Sequence, residues 1–297
     1  MSFNRDALAW YDGGAVQYPA LHKKIIELTM PALVVKQLLP EFPLVSGKTA
    51  TFVKENGSRS AAINEISEGA EIMMDFTPLT TVTVTPYKKG LRERISRENI
   101  EDLYIPVIED QLRRLARRMA YTIEKDCISV IDAASGWSSA GTGVSLGATG
   151  TEFTISGALG SKDILKGKAA IEANNFVPDT ILLNPVNARD VMYLPQFSLS
   201  SQYGEPVVQS GKIGTIYGMN IFISNIVTAG NAYVLSTGQN LSASYAPLGY
   251  FVIRRPLMSD VEIKKEFDSV DVSLTTRYSP VVLNGGCIAK FTGLNAS

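Results

Sequence analysis

The sequence predicts an α+β fold organised around one long helix, and three patterns carry that expectation. Residues 68–90 read EGAEIMMDFTPLTTVTVTPYKKG, with Thr81, Thr83 and Thr85 alternating with Val82 and Val84. Period-two alternation of β-branched residues is a strand signal. Residues 107–134 contain neither glycine nor proline, and Leu112, Leu115, Met119, Ile123, Cys127 and Ile131 recur at spacings of three and four, which places them on one helix face. Beyond residue 160, short apolar runs alternate with helical patterns and the chain closes on a strand.

The first 46 residues hold short apolar pieces, four prolines (Pro19, Pro31, Pro40, Pro43) and one short helical pattern at Leu21–Leu28. They read as an N-terminal arm, 1–46, that finds its partners elsewhere. The next stretch, 47–90, reads as an extended β-ribbon: KTATFV at Lys48–Val53 pairs with the threonine–valine run, and Pro78 and Pro86 bracket the latter. The dipeptide Asn56-Gly57 suits a tight turn early in the ribbon's tip. A two-stranded ribbon is marginal alone in water, so it must lie on something. Met73, Met74 and Phe76 near its tip are either a core fragment or a contact with another chain.

The clearest helix runs from Ser96 to Ala134. Ser96 is a capping residue and Glu98, Glu101 and Asp102 favour a positive helix N-terminus. Pro106 suits a first turn, so a short helix to about Asp102 and a second from near Tyr104 are expected. At 1.5 Å per residue the second spans roughly 45 Å, the length of a spine. Residues 135–160 are rich in Gly, Ser and Thr and read as a loop or loose hairpins. Ser161–Asn174 returns to helix, with Ile164, Leu165, Ala169 and Ile171 inward. TILLN at Thr180–Asn184 is a buried strand, and Pro185–Leu194 is a helix opened by its proline. Met219–Asn225 and Ala232–Ser236 are strands, Asp260–Arg277 alternates over much of its length, and Cys287–Phe291 closes the chain as a strand.

Composition bounds the function. The 297 residues are 45% apolar and 19% charged, with a formal net charge of −1. That is globular rather than disordered, with room for one large or two medium domains, and without the basic excess of a free-standing nucleic-acid binder. The first apolar cluster, PALVVKQLLP, is broken by Lys36 and Gln37 and is too short to span a bilayer. No membrane association is expected, and synthesis in a reducing cytoplasm is the simple reading of two distant cysteines that match no metal spacing.

No catalytic, cofactor-binding or metal site is expected. The single histidine, His22, lies in the arm with no assigned partner, and there is no G-x-S-x-G nucleophile elbow. Gly141–Gly147 misses the dinucleotide fingerprint by one position, and no phosphate-binding loop matches. Cys127 and Cys287 read as core thiols. The one charge cluster is Arg113, Arg114, Arg117 and Arg118, two i,i+4 pairs forming adjacent rows on the spine helix. Either it is a basic stripe facing phosphate, or a solvated face with salt bridges to acids such as Glu109, Asp110 and Glu124.

The order of these parts is specific: arm, long ribbon, spine helix, glycine-rich crossover, α/β region, returning strand. Together with the texts TPLTTVTVTPYKKGLRERISRENIED, ILLNPVNARDVMYL, GTIYGMNIFISN and SLTTRYSPVVLNGGCIAKFTG, it resembles the major capsid protein family of tailed phages, the Hong Kong 97-type fold. The resemblance covers Val45 to Gly293. It implies an arm (1–46), an extended ribbon (47–90), a peripheral domain with the spine helix (91–160), an axial domain (161–260) and a return to the peripheral domain (261–297). It also implies a shell protein rather than an enzyme. Copies would assemble into hexamers and pentamers of an icosahedral shell around non-specifically packaged double-stranded DNA, with a portal and scaffolding or decoration proteins as further partners. The protein would be assembled in the host cytoplasm and reside in the virion. The ribbon would clamp a neighbouring subunit, with Lys54, Glu55, Glu68, Met73, Met74 and Phe76 as contacts; the four arginines are either a lumen-facing stripe or interface and salt-bridge residues. A coat filled by a motor need not neutralise phosphate, which agrees with the near-zero net charge. An encapsulin-like compartment shares the fold and is the alternative. An α/β enzyme with a decorative hairpin would need a pocket of convergent polar groups that the motifs do not supply.

Overall fold

The computed structural model describes residues 33–55, 68, 79–98, 107–135, 151–194, 214–238 and 248–295. In chain order the elements are β1 (Glu41–Pro43), β2 (Ala50–Glu55), β3 (Leu79–Val84), β4 (Tyr87–Ser96), α1 (Val107–Ser135), β5 (Thr151–Gly157), α2 (Ser161–Ala173), β6 (Thr180–Leu183), α3 (Pro185–Met192), β7 (Thr215–Ile216), β8 (Met219–Ile223), β9 (Ala232–Leu235), β10 (Gly249–Lys264), β11 (Ser269–Val282) and β12 (Ile288–Leu294). A short 3₁₀ turn at Val35–Leu38 precedes β1. The strands form a four-stranded sheet β1-β10-β11-β4, a six-stranded sheet β5-β12-β9-β6-β8-β7 and the isolated pair β2-β3.

The spine is α1, 29 residues long, or about 43 Å at 1.5 Å per residue. From Leu115 on, its stripe is as the sequence reads: Leu115, Met119, Ile123, Cys127 and Ile131 are all buried, joined by Ala116, Ala120 and Ile128; the Leu112 side chain lies outside the described ones. This face packs on both large sheets at once. Val270, Val272, Leu274 and Tyr278 of β11 meet it from one side, and Tyr233, Leu235 and Ile288 from the other, in one continuous core. Two aspartates on the helix fasten it. Asp126 accepts from the Tyr278 hydroxyl at 2.5 Å and from Lys89. Asp132 accepts from the Tyr233 hydroxyl at 2.6 Å and pairs with Lys290 at 2.7 Å. Burial would raise the Asp132 carboxyl, but Lys290 and Tyr233 outweigh it and hold the group below its ordinary value.

The six-stranded sheet is covered on its other face by α2 and α3. β6 and β9 are buried along their whole length, and alternate side chains serve the two cores. Leu182, Tyr233 and Leu235 face α1, while Ile181, Leu183, Ala232 and Val234 join Ile164, Ile171, Ala188 and Val191. α2 packs tightly because Gly167 lacks a side chain: a Cβ there would sit 2.5 Å from the Phe291 ring. Leu165 and Ala169 face outward, not inward as the sequence suggests, since Ile164, Gly167 and Ile171 form the contact face. α3 opens as expected, on Asn184-Pro185. The Asn184 side chain accepts from the Val186 amide at 3.0 Å and donates to the Val227 carbonyl at 2.7 Å.

Several expectations change. The described part of the 1–46 segment packs within its own chain: Leu33, Val35, Leu38 and Leu39 are buried in the α1 core, and β1 pairs in parallel with β10. Its apolar residues find enough surface on α1 to be buried within the chain. Leu21–Leu28 and His22 lie outside the described residues. Residues 87–96, expected to lead into a helix, are strand β4, paired with β11 from Tyr87–Tyr278 to Ser96–Ser269. A helical turn begins at residue 97, directly after Ser96, where the sequence places the cap. The ribbon boundary at residue 90 and the domain boundary at 260 both fall inside strands, because β4 and β10 each run as one unit in the four-stranded sheet. The glycine-rich region expected to be loop contributes β5, which lies parallel to β12 at the sheet's edge. Cys127 and Cys287 are buried free thiols, as read from the sequence, and burial raises both well above the ordinary thiol range.

Candidate functional site

Among the described residues, the ribbon presents an exposed face and two unpaired edges. β2 and β3 pair antiparallel from Ala50–Val84 to Glu55–Leu79, and neither strand has a further neighbour among the described residues. Strand alternation gives the pair two faces. Ala50, Phe52, Val82 and Val84 point inward, onto Val252 and Val281 of the four-stranded sheet, with Tyr250, Leu44 and Leu283 around them. The Phe52 ring stacks on Tyr250 at 5.3 Å and meets Phe42 edge-on at 5.2 Å. The opposite face, Thr51, Val53, Thr81 and Thr83, is exposed. The base of the ribbon therefore lies on its own subunit, while both edges and the outer face stay open among the described residues.

Of the residues expected to contact a neighbour, two fall at the far end of the β2–β3 pair. Lys54 pairs with Thr80 and Glu55 with Leu79, the last register positions of the pair. Glu68 is exposed in a turn. Met73, Met74 and Phe76 lie outside the described residues. Arg113, Arg114, Arg117 and Arg118 are exposed on α1, on the face away from the buried stripe. Glu124 does not join them. It is buried on the opposite face, where its carboxylate accepts from the Val35 amide at 2.8 and 3.0 Å and from the Lys36 amide at 3.2 Å. Burial raises its pKa, and these amide hydrogen bonds offset only part of that.

A second feature was not legible in the sequence. At the ribbon's base, Lys48, Lys88, Arg254, Arg255 and Arg277 line a cleft of about 500 Å³ beside Thr85, Pro86 and Tyr87. Register shifts in the β10–β11 pair flank Arg255, so the two arginines sit at an irregularity that re-aims side chains. Arg254 donates to the Leu44 carbonyl at 2.7 Å and to that of Val45; Arg277 donates to the Pro86 carbonyl at 3.0 Å. Backbone oxygens thus orient the guanidinium groups. Elsewhere in the same sheet charge is matched: the buried Asp271 carboxylate receives Arg94 at 2.8 and 3.1 Å and also Arg92. The Arg94 hydrogen bond, more than any other influence, holds Asp271 down to about 2.

Among the described residues there is no cluster of metal-ligating side chains, and no described helix is long and apolar enough to cross a membrane. What the described residues offer is an open ribbon face and a basic cleft.

The model of a family described as phage capsid protein matches residues 79–290. No curated protein matches the sequence. Among solved structures, the capsid of the cyanophage P-SCSP1u aligns with a TM-score of 0.68 at 13% identity, covering 88% of this chain and 87% of that one. The mature capsid of bacteriophage PhiM1 gives 0.67 at 10% identity, covering 89% and 88%. The capsid of a native GTA particle gives 0.65 at 10% identity, covering 89% and 91%. At these identities the likeness is one of fold, and the fold is the expected Hong Kong 97 type.

Proposed function

Because this chain belongs to the phage capsid protein family, whose members are structural and not enzymes, we propose that its copies join as hexamers and pentamers of an icosahedral shell around packaged double-stranded DNA. The observation that carries this is the ribbon: its base is anchored on its own sheet by Phe52 and Tyr250, while its outer face is exposed and neither edge is paired further among the described residues. An open two-stranded edge is a template for another chain. A ribbon of one copy laid on a different surface of the next is a heterologous contact, which closes into rings and shells when the rotation allows. The DNA is held without sequence preference, the portal and any scaffolding or decoration proteins join the shell, and assembly takes place in the host cytoplasm.

The test is deletion of Gly57–Glu71. The shortened chain is expected to fold, with an unchanged far-ultraviolet spectrum and a cooperative melt, and to elute as a monomer where the full chain forms particles. Normal shells from the deletion variant would refute the clamp.

A further inference from the structure

The basic cleft at the ribbon's base has three properties that a merely solvated surface does not need. Its five cations have no carboxylate partner among the described residues. Arg255 and Arg277 are direct cross-strand partners, an arrangement of like charges that costs stability. The Arg255 Nε is buried without a hydrogen-bond partner, although the same side chain donates through Nη2 to the Thr275 hydroxyl at 3.1 Å. A cleft that holds positive charge at a cost, with guanidinium groups fixed by backbone carbonyls, is organised to receive an anion.

The chain carries a matching anionic segment. Between Glu55 and Asp75 lie Glu55, Glu65, Glu68, Glu71 and Asp75 against the single Arg59. This segment joins the far ends of β2 and β3, whereas the cleft lies at their near ends, beside Lys48 and Thr85. The segment also contains Ile63, Ile66, Ile72, Met73 and Met74, and the cleft's surroundings are correspondingly apolar: Tyr87 is 67% and Val45 86% exposed.

We propose that the cleft is the seat for the acidic ribbon segment Glu55–Asp75 of a second copy of this chain. The proposal rests on the shell reading and names the surface that the ribbon grips. Each copy offers one acidic segment and one basic seat, so the contact is head to tail and repeats around a ring. Complementary charge of this kind sets register and excludes wrong docking more than it adds raw affinity. Packaged DNA is the other polyanion in the system, but the acidic segment matches both the charge and the apolar rim.

The experiment uses charge exchange in the full chain. Lys48 and Lys88 are exposed, so the pair Lys48→Glu and Lys88→Glu reverses the cleft's rim without touching the carbonyl-bound arginines. Glu65→Lys, Glu68→Lys and Glu71→Lys reverse the segment. Each set alone is expected to lower the yield of assembled particles at least tenfold, with thermal melts of the subunit unchanged. Combining both sets in one chain is expected to restore assembly, a rescue that a folding defect cannot give. If wild-type chain assembles and both single sets assemble equally well, the proposal is overturned while the shell reading stands. If the cleft variants assemble normally but their particles lose DNA, the seat belongs to phosphate and the proposal is likewise overturned. If wild-type chain does not assemble, alone or with the gene products encoded beside it, the shell reading itself has failed.

Discussion

Replacing Glu124 tests how the segment before the ribbon is fastened to the spine. The Val35 amide donates to both carboxylate oxygens, at 2.8 and 3.0 Å, and the Lys36 amide to one, at 3.2 Å. Glu124→Ala leaves both amides without that acceptor. The Val35 hydrogen bonds are buried, and an unsatisfied buried donor costs about 1–3 kcal/mol. The Lys36 amide is partly buried and recovers some hydrogen bonding from water. The opposing effect is relief of a buried charge, since burial raises the Glu124 carboxyl above its ordinary value. The net expectation is a loss of about 2 kcal/mol, or about 4–8 °C in melting temperature at the usual 2–4 °C per kcal/mol for large domains. Glu124→Gln keeps one acceptor oxygen without the charge, so it is expected to lose about half as much. Equilibrium urea unfolding of the unassembled subunit gives the energies, and hydrogen exchange at the Val35 amide gives the local effect. Both variants within about 0.5 kcal/mol of wild type, with Val35 protection unchanged, would show that Glu124 does not anchor this segment.

Three further outcomes are expected. Phe52→Ala removes a ring stacked on Tyr250 at 5.3 Å and should cost about 1–3 kcal/mol. The loss should appear as faster exchange in residues 50–55 and 79–84 before global unfolding, and uniform loss of protection across the subunit would contradict the local anchoring. Gly167→Ala places a Cβ 2.5 Å from the Phe291 ring; overpacking of about 1–3 kcal/mol exceeds the helix-propensity gain of about 1 kcal/mol, so urea unfolding should show a less stable variant, and a more stable one would contradict the packing. Asp271 is held down to about 2 from an ordinary 3.8, so its contribution is complete above about pH 4 and is lost as pH falls toward 2. Between those limits the urea midpoint should fall with acid more steeply for wild type than for Asp271→Asn, and parallel curves would contradict the assignment.

Much of the fold was legible because its periodicities are clean. The α1 stripe reads directly from Leu115 to Ile131, and the ribbon from its threonine–valine alternation. β4 was missed because Arg92 and Arg94 alternate with Leu91, Glu93 and Ile95 on a strand with one exposed face. The first half of β10 was missed where Arg254, Arg255 and Pro256 interrupt alternation at the register shifts. β5 hides in a glycine- and threonine-rich stretch and is recognisable only from its pairing with β12. The basic cleft had no local signal at all. Lys48, Lys88, Arg254–Arg255 and Arg277 come from four separate stretches, and only the pairings β4–β11 and β10–β11 and the seating of the ribbon bring them together. Glu124 read as one more acid near the arginines; that it faces inward follows from its place on the stripe, three residues before Cys127 and one after Ile123.

The most direct test of the central claim is electron microscopy of the purified full-length chain over a range of protein concentrations. Capsomer rings or closed icosahedral shells are expected, with the ribbon of each subunit lying on its neighbour. A chain that stays monomeric at every concentration, alone and with the gene products encoded beside it, would contradict a self-assembling shell subunit.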